Sequence, residues 1–146
     1  MKIAIASDHA GFEYKKKLIE YIKSKGHQIL DFGTYSNEPV DYPDFAFPAA
    51  ESVAALVADY GVVICGTGIG MSIVANKVSG IRAALCVNEE YARLARQHNN
   101  ANVLCLGARM TTIELAEKII DVFFEEDFDG DRHMIRIEKI HNLTGV

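Results

Sequence analysis

Cys65 stands where an apolar run, Tyr60-Gly61-Val62-Val63-Ile64, gives way to Gly66-Thr67-Gly68-Ile69-Gly70, so one short segment carries a thiol and three glycines. A chain that leaves a buried strand through glycines and enters a helix exposes unpaired N–H groups, and these favour an anion. Such a loop can hold a phosphate or a developing oxyanion. A thiol at a helix N-terminus is the kind that ionises near neutrality, which makes Cys65 a candidate base or nucleophile. The plainer reading is a small buried residue followed by a turn.

Other candidates lie along the chain. Asp8, in Ser7-Asp8-His9-Ala10-Gly11, can cap a helix or act on a hydroxyl, and His9 can donate to a phosphate or a sugar hydroxyl or simply be solvated. His98 falls in the last turn of a predicted helix, where the dipole favours an imidazolium able to protonate an oxygen; its plainer role is to end the helix beside Asn99 and Asn100. Arg132 and Arg136, four apart, can present two guanidinium groups to one phosphate or form a solvated face. Arg109 follows a predicted strand. Cys86 and Cys105 lie inside strand patterns and read as core.

Short apolar runs rich in Ile, Val and Leu, at Ile3–Ala6, Gln28–Phe32, Val62–Cys65, Ala83–Val87 and Val103–Leu106, have the mostly unalternating pattern of buried parallel strands. Helical patterns separate them over Phe12–Lys25, Phe45–Ala58, Met71–Val78, Asn88–His98 and Thr112–Glu125, and Arg132–Leu143 adds a further helix. Gly26 and Asn99-Asn100 are stop signals, and Thr111-Thr112 with Glu114 is a start signal. The expected architecture is a single α/β domain over residues 1–146, a three-layer α/β/α Rossmann-like fold with a five-stranded parallel sheet and an extra C-terminal helix. The polar stretch Gly33–Asp44, with Pro39 and Pro43, is long enough to be a lid or an edge cover. In such sheets ligands bind beyond the carboxyl ends of the strands, so the loops after the first, third and fifth strands bring Asp8, His9, Cys65 and Arg109 to one edge.

Composition narrows the classes. The 146 residues suffice for one core, and 49% hydrophobic with 24% charged residues is ordinary globular usage. A formal net charge of −5 argues against broad binding to nucleic acid or to an anionic membrane. Three cysteines with no C-x-x-C spacing suit neither a disulfide framework nor a zinc site, which fits a reducing, cytoplasmic setting. No segment has the length and apolarity of a membrane span or a signal peptide.

Taken together, Ser7-Asp8-His9-Ala10-Gly11, Cys65–Gly70 with Ala75-Asn76-Lys77, His98-Asn99-Asn100-Ala101-Asn102, Gly107-Ala108-Arg109 and Arg132-His133-x-x-Arg136 resemble type B ribose-5-phosphate isomerases over nearly the whole chain. That family also holds isomerases of allose 6-phosphate and galactose 6-phosphate. The resemblance implies interconversion of ribose 5-phosphate and ribulose 5-phosphate through a cis-enediolate, with a small phosphorylated sugar as the only ligand and no metal or organic cofactor. By position, Cys65 would move a proton between C1 and C2, and the amides of Gly66, Thr67, Gly68, Ile69 and Gly70 would hold the enediolate oxygens. His98 would open the furanose ring, with Thr67 and Asp8 assisting. His9, Arg132 and Arg136 would bind phosphate, and Asn99 and Arg109 would complete the substrate shell. The resemblance also implies a homodimer or a dimer of dimers, with some of these residues supplied by the neighbouring subunit. A second branch of the family uses a glutamate where this chain has Met71, so the chain resembles the cysteine branch.

Rival readings fare less well. A dinucleotide fold is approached by Gly66-x-Gly68, with Glu89 or Glu90 about 20 residues on, but the third glycine is replaced by Met71. A P-loop would need a glycine-lysine-serine or glycine-lysine-threonine sequence after the loop, and none follows it. A noncatalytic sugar-phosphate sensor would need neither Cys65 nor His98.

Overall fold

Each apolar run becomes a strand and each is followed by a helix. The computed structural model describes residues 1–146 as β1 (Lys2–Ser7), α1 (Phe12–Ser24), β2 (Gln28–Asp31), α2 (Pro43–Ala54), β3 (Tyr60–Cys65), α3 (Ile69–Ala75), β4 (Ala83–Leu85), α4 (Glu89–Asn99), β5 (Val103–Gly107), α5 (Ile113–Glu125) and α6 (Asp131–Thr144). The strands form one parallel sheet in the order β2-β1-β3-β5-β4. Its order reverses between β1 and β3, which is where a crevice opens in such sheets.

Alternation along the strands sorts the core into two layers. Ile3, Ile5, Val62, Ile64, Leu104 and Leu106 pack against α1, α4 and α5, while Ala4, Ala6, Val63, Cys65, Val103 and Cys105 pack against α2 and α3. The small residues on the second face let α2 approach closely through Ala46, Ala49 and Ala50.

Boundaries shift where local chemistry outweighs pattern. The second helix, expected over Phe45–Ala58, runs Pro43–Ala54: Pro43 supplies the preset first turn, and the amides of Val57 and Ala58 turn back onto Ser52 O at 2.9 and 3.1 Å. The third starts at Ile69 rather than Met71 because Gly68, at φ 80°, turns the chain into the helix. β2 and β4 are shorter than their apolar runs, since each has a sheet neighbour on one side only. Asn100, at φ 44°, ends α4, and Thr112 Oγ1 accepts the Leu115 N–H at 3.3 Å to open α5, as the signals indicate.

The outer edge of β4 is occupied by a side chain. Asn76 Oδ1 accepts the Ala83 N–H, and Asn76 Nδ2 donates to Ala83 O, both at 2.9 Å. No helix is long and apolar enough to cross a membrane.

Candidate active site

The ends of β1 and β3 lie side by side, with Ser7 opposite Ile64. Asp8 N–H donates to Ile64 O at 3.1 Å, and Asp8 Oδ1 accepts the Gly11 N–H at 3.0 Å. The capping role is therefore real, and it occupies one carboxylate oxygen at the crevice. Half-buried His9 is held from outside: Val40 N–H points at its Nδ1 from 3.2 Å. Val40 O lies 3.3 Å from the same nitrogen, so Val40 fixes the position of the ring through Nδ1 in either tautomer and leaves Nε2 on the other side.

Cys65 is 6% exposed, and the Gly68 N–H donates to its Sγ at 3.1 Å. The sulfur is thus fixed at the mouth of the loop. Thr67, exposed, accepts the Ile69 N–H on Oγ1 at 3.3 Å, while the Gly66 and Thr67 amides have no acceptor within the chain. Gly68 is required twice over, by its positive φ and because a Cβ there would come within 2.5 Å of Leu85 Cδ1 and 2.9 Å of the Leu106 carbonyl carbon. From β5, Ala108 N–H donates to Cys65 O at 2.9 Å and Arg109 N–H to Gly66 O at 3.0 Å. The Arg109 guanidinium lies so close over Gly66 that a Cβ there would meet Nη1 at 3.3 Å. Asp8, His9, Cys65–Gly70 and Arg109 are brought together at the carboxyl edge, as expected.

His98, Asn99, Arg132 and Arg136 form a separate cluster. A helix that follows a parallel strand runs back along it, so the last turn of α4 returns to the edge where strands begin. There Arg96, two residues before His98, lies with its guanidinium 4.9 Å from the Tyr60 ring centroid, and Asn102 O accepts the Gly61 N–H at 3.0 Å. Between that edge and Cys65 lies the length of β3, about 16 Å. Within one chain Thr67 and Asp8 do not stand beside His98, and the resemblance anticipates this separation by drawing some site residues from the neighbouring subunit.

In this second cluster the His98 ring stacks on His133 of α6, centroids 4.3 Å apart and planes at 5°. Burial of His133, then the charges of His98, Arg132 and Arg136, push its pKa below the ordinary histidine value, against an opposing pull from Asp129. Arg132 and Arg136 themselves are exposed, on the face of α6 next to buried His133 and Ile137, and Arg132 Nε donates to His133 Nε2 at 3.4 Å. Ligand-capable atoms of His98, Asp129 and His133 lie within 4.8 Å of one another. Parallel ring planes cannot both direct in-plane lone pairs at one ion, so this arrangement would have to open before it closed on a metal.

Of the remaining thiols, burial pushes Cys86 up to about 12, and burial followed by the neighbouring Cys86 and Cys65 raises Cys105 well above the ordinary range. Both are core residues, at 1% and 0% exposure.

Several contributors escape a reading of motifs. Tyr42 covers Gly70 so closely that a Cβ there would fall 2.8 Å from its ring. Lys15, 1% exposed, pairs with Asp31, whose carboxylate also accepts the Gly33 N–H at 2.9 Å. Tyr35 OH donates to Asp31 O at 2.8 Å. This network anchors the polar stretch that reaches His9 through Val40 and Gly70 through Tyr42. The available signal was Lys15 in register with the core positions Leu18 and Ile22 of α1.

The sequence profile of the ribose/galactose isomerase family matches residues 3–140. The chain belongs to that family. It is 44% identical over 139 residues to the Escherichia coli ribose-5-phosphate isomerase B, covering 95% of this chain and 93% of that protein. It is also 51% identical over 128 residues to the galactose-6-phosphate isomerase subunit LacB of Clostridium acetobutylicum, covering 88% and 74%. The Clostridium thermocellum ribose-5-phosphate isomerase B structure superposes with a TM-score of 0.98 at 48% identity, over 99% of this chain and 98% of that one. In this isomerase the position of the alternative glutamate, Met71, is fully buried among α2 and α3 side chains.

Proposed function

We propose that the chain interconverts ribose 5-phosphate and ribulose 5-phosphate, with Cys65 as the base. The observation that carries this reading is the sulfur fixed by the Gly68 N–H at a sheet switch point, beside loop amides that lack acceptors within the chain. With the open-chain aldose bound, the Cys65 thiolate takes the C2 proton. The cis-enediolate oxygens O1 and O2 accept hydrogen bonds from amides between Gly66 and Gly70, and the same sulfur returns the proton to C1 while the O2–H proton passes to O1, giving the ketose with its C1 hydroxyl and C2 carbonyl. Beforehand His98 protonates the ring oxygen of the furanose as the C1–O4 bond breaks, and Asp8, assisted by Thr67, takes the proton of the anomeric hydroxyl so that the C1 carbonyl forms. No metal or cofactor is assigned a part.

The two clusters lie at opposite ends of the sheet, so the reading requires a second copy that presents its His98, Asn99, Arg132 and Arg136 to the Cys65 loop. The phosphate then sits between His9 Nε2 and the partner copy's arginines, with Arg109 near the carbons. Apolar exposure on the β4 side supports this assembly: Val87, Tyr91 and Leu94 are 47%, 57% and 37% exposed, and Ile140 and Leu143 of α6 are 45% and 85%.

The similarity to a galactose-6-phosphate isomerase subunit keeps six-carbon phosphates as the competing substrates. Two measurements test the proposal. Cys65→Ala should abolish exchange of the C1 protons of ribulose 5-phosphate with deuterated solvent while sugar-phosphate binding persists; exchange at the wild-type rate would remove Cys65 as the base. The ratio kcat/KM should favour ribose 5-phosphate over allose 6-phosphate and galactose 6-phosphate, and the opposite order would move the substrate to the hexose phosphates.

A further inference from the structure

Arg82, at the entrance to β4, is half-buried and has no carboxylate partner among the ion pairs of the chain. A cation withdrawn from water without a counter-ion must be hydrogen-bonded to be tolerated. Here it is, and its partners are informative. Nε donates to Asn99 O at 2.9 Å and to Asn100 O at 3.0 Å, and Nη2 donates to Asn100 O at 2.9 Å. Nη1 donates to Gly80 O and faces His141 Nε2, each at 3.3 Å. The backbone joins in: Arg82 N–H donates to Asn102 Oδ1 at 2.8 Å, and Asn102 N–H to Arg82 O at 3.0 Å.

These carbonyls are the ones that the end of α4 leaves without intrahelical donors, and they carry the negative end of its dipole. Arg96 helps from the other side, donating to Asn100 Oδ1 at 2.9 Å and to Ala101 O at 2.6 Å. Burial, then the charge of Arg96, lower the Arg82 pKa, so this packing is held against an electrostatic cost. His98 and Asn99 are the last residues of the helix so held. The contact with His141 reaches α6, which carries His133, stacked on His98, together with Arg132 and Arg136. One planar fork of donors therefore touches both elements of the second cluster, which a lysine could not reproduce.

We propose that Arg82 is a positioning residue that orients His98 and Asn99 and fixes α6 against them, without touching substrate itself. This rests on the proposed function, and two independent readouts separate the failures. The first is kinetic. Ribulose 5-phosphate is acyclic, so at saturation its C1 proton exchange does not need the ring-opening acid. Arg82→Gln should lower kcat on ribose 5-phosphate about 100-fold, lower saturated exchange less than about 5-fold, and raise KM for both sugars. Arg82→Lys should fall between it and wild type. A purely structural loss would scale both reactions equally through the active fraction, and equal scaling or unchanged kinetics overturns the proposal. The second readout needs no activity: in Arg82→Lys, the milder change, the ¹⁵N resonances of the His98 imidazole should shift. Unchanged His98 resonances in folded Arg82→Lys overturn the proposal. Absence of exchange in the wild-type protein instead overturns the functional reading, leaving the resonance test of Arg82 standing.

Discussion

The two ends of the sheet solve the same problem by different means. At the carboxyl edge, Cys65 is fixed by main chain: a Gly68 amide on its sulfur, an Ala108 amide on its carbonyl, and glycines that admit no Cβ. At the amino edge, His98 is held by side chains: a stacked His133, and Arg82 and Arg96 gathering the carbonyls of the turn that follows. The first construction rests on backbone atoms of two neighbouring strand ends. The second joins three distant segments and, under the proposed reading, is useful only to another copy.

The sharpest way to break this comparison is to mix two crippled proteins. Cys65→Ala and His98→Asn should each lose about 1000-fold or more in activity alone. Unfolded and refolded together, they should recover about a quarter of the wild-type activity, because half of the dimers are mixed and each mixed dimer keeps one intact site. No recovery would mean that each site is built from one chain. Next in size, Gly68→Ala should cut kcat about 100-fold, since the loop must shift to clear Leu85 and Leu106 while the second cluster stays unchanged; near-normal kcat would show the main-chain end to be pliable. Arg136→Ala should raise KM about tenfold with kcat little changed, and an unmoved KM would detach α6 from the phosphate.

The smallest effect concerns His133. Its folded pKa lies below the ordinary 6.5, so the unfolded chain binds more protons in the window just beneath that value. Stability from this group is full above pH 6.5 and declines as pH falls through the folded pKa. Urea titrations from pH 7.5 to 5 should show a decline that His133→Gln makes shallower, and identical slopes would remove His133 as a contributor.

Legibility followed the same division. The alternation of apolar runs with helical periods marks the parallel sheet, and strand-end placement brings Asp8, His9, Cys65 and Arg109 together, because both rules depend on local order along the chain. His98, Asn99, Arg132 and Arg136 were recognised from motifs, yet their remoteness from Cys65 follows only from the direction of α4. Arg82 and Tyr42 left no motif at all. Arg82 acts through carbonyls, which every residue carries, and Tyr42 acts by lying over a glycine distant in sequence. Lys15 carries a signal that motifs pass over, a charge in register with Leu18 and Ile22, and its partner Asp31 carries none.

Asn76 gives the edge of this sheet a particular temper. By engaging both the N–H and the carbonyl of Ala83, its amide acts as a single residue of counterfeit strand. An unguarded border of this kind invites a neighbour to extend the ladder, and each added chain would expose a fresh border in turn. With that invitation withdrawn at Ala83, chains that meet on this flank do so through side chains on α4 and α6, whose mutual fit can close and stop. Under the proposed reading, in which a neighbouring copy completes the site, Asn76 thus guards a closed assembly against growing into a fibre.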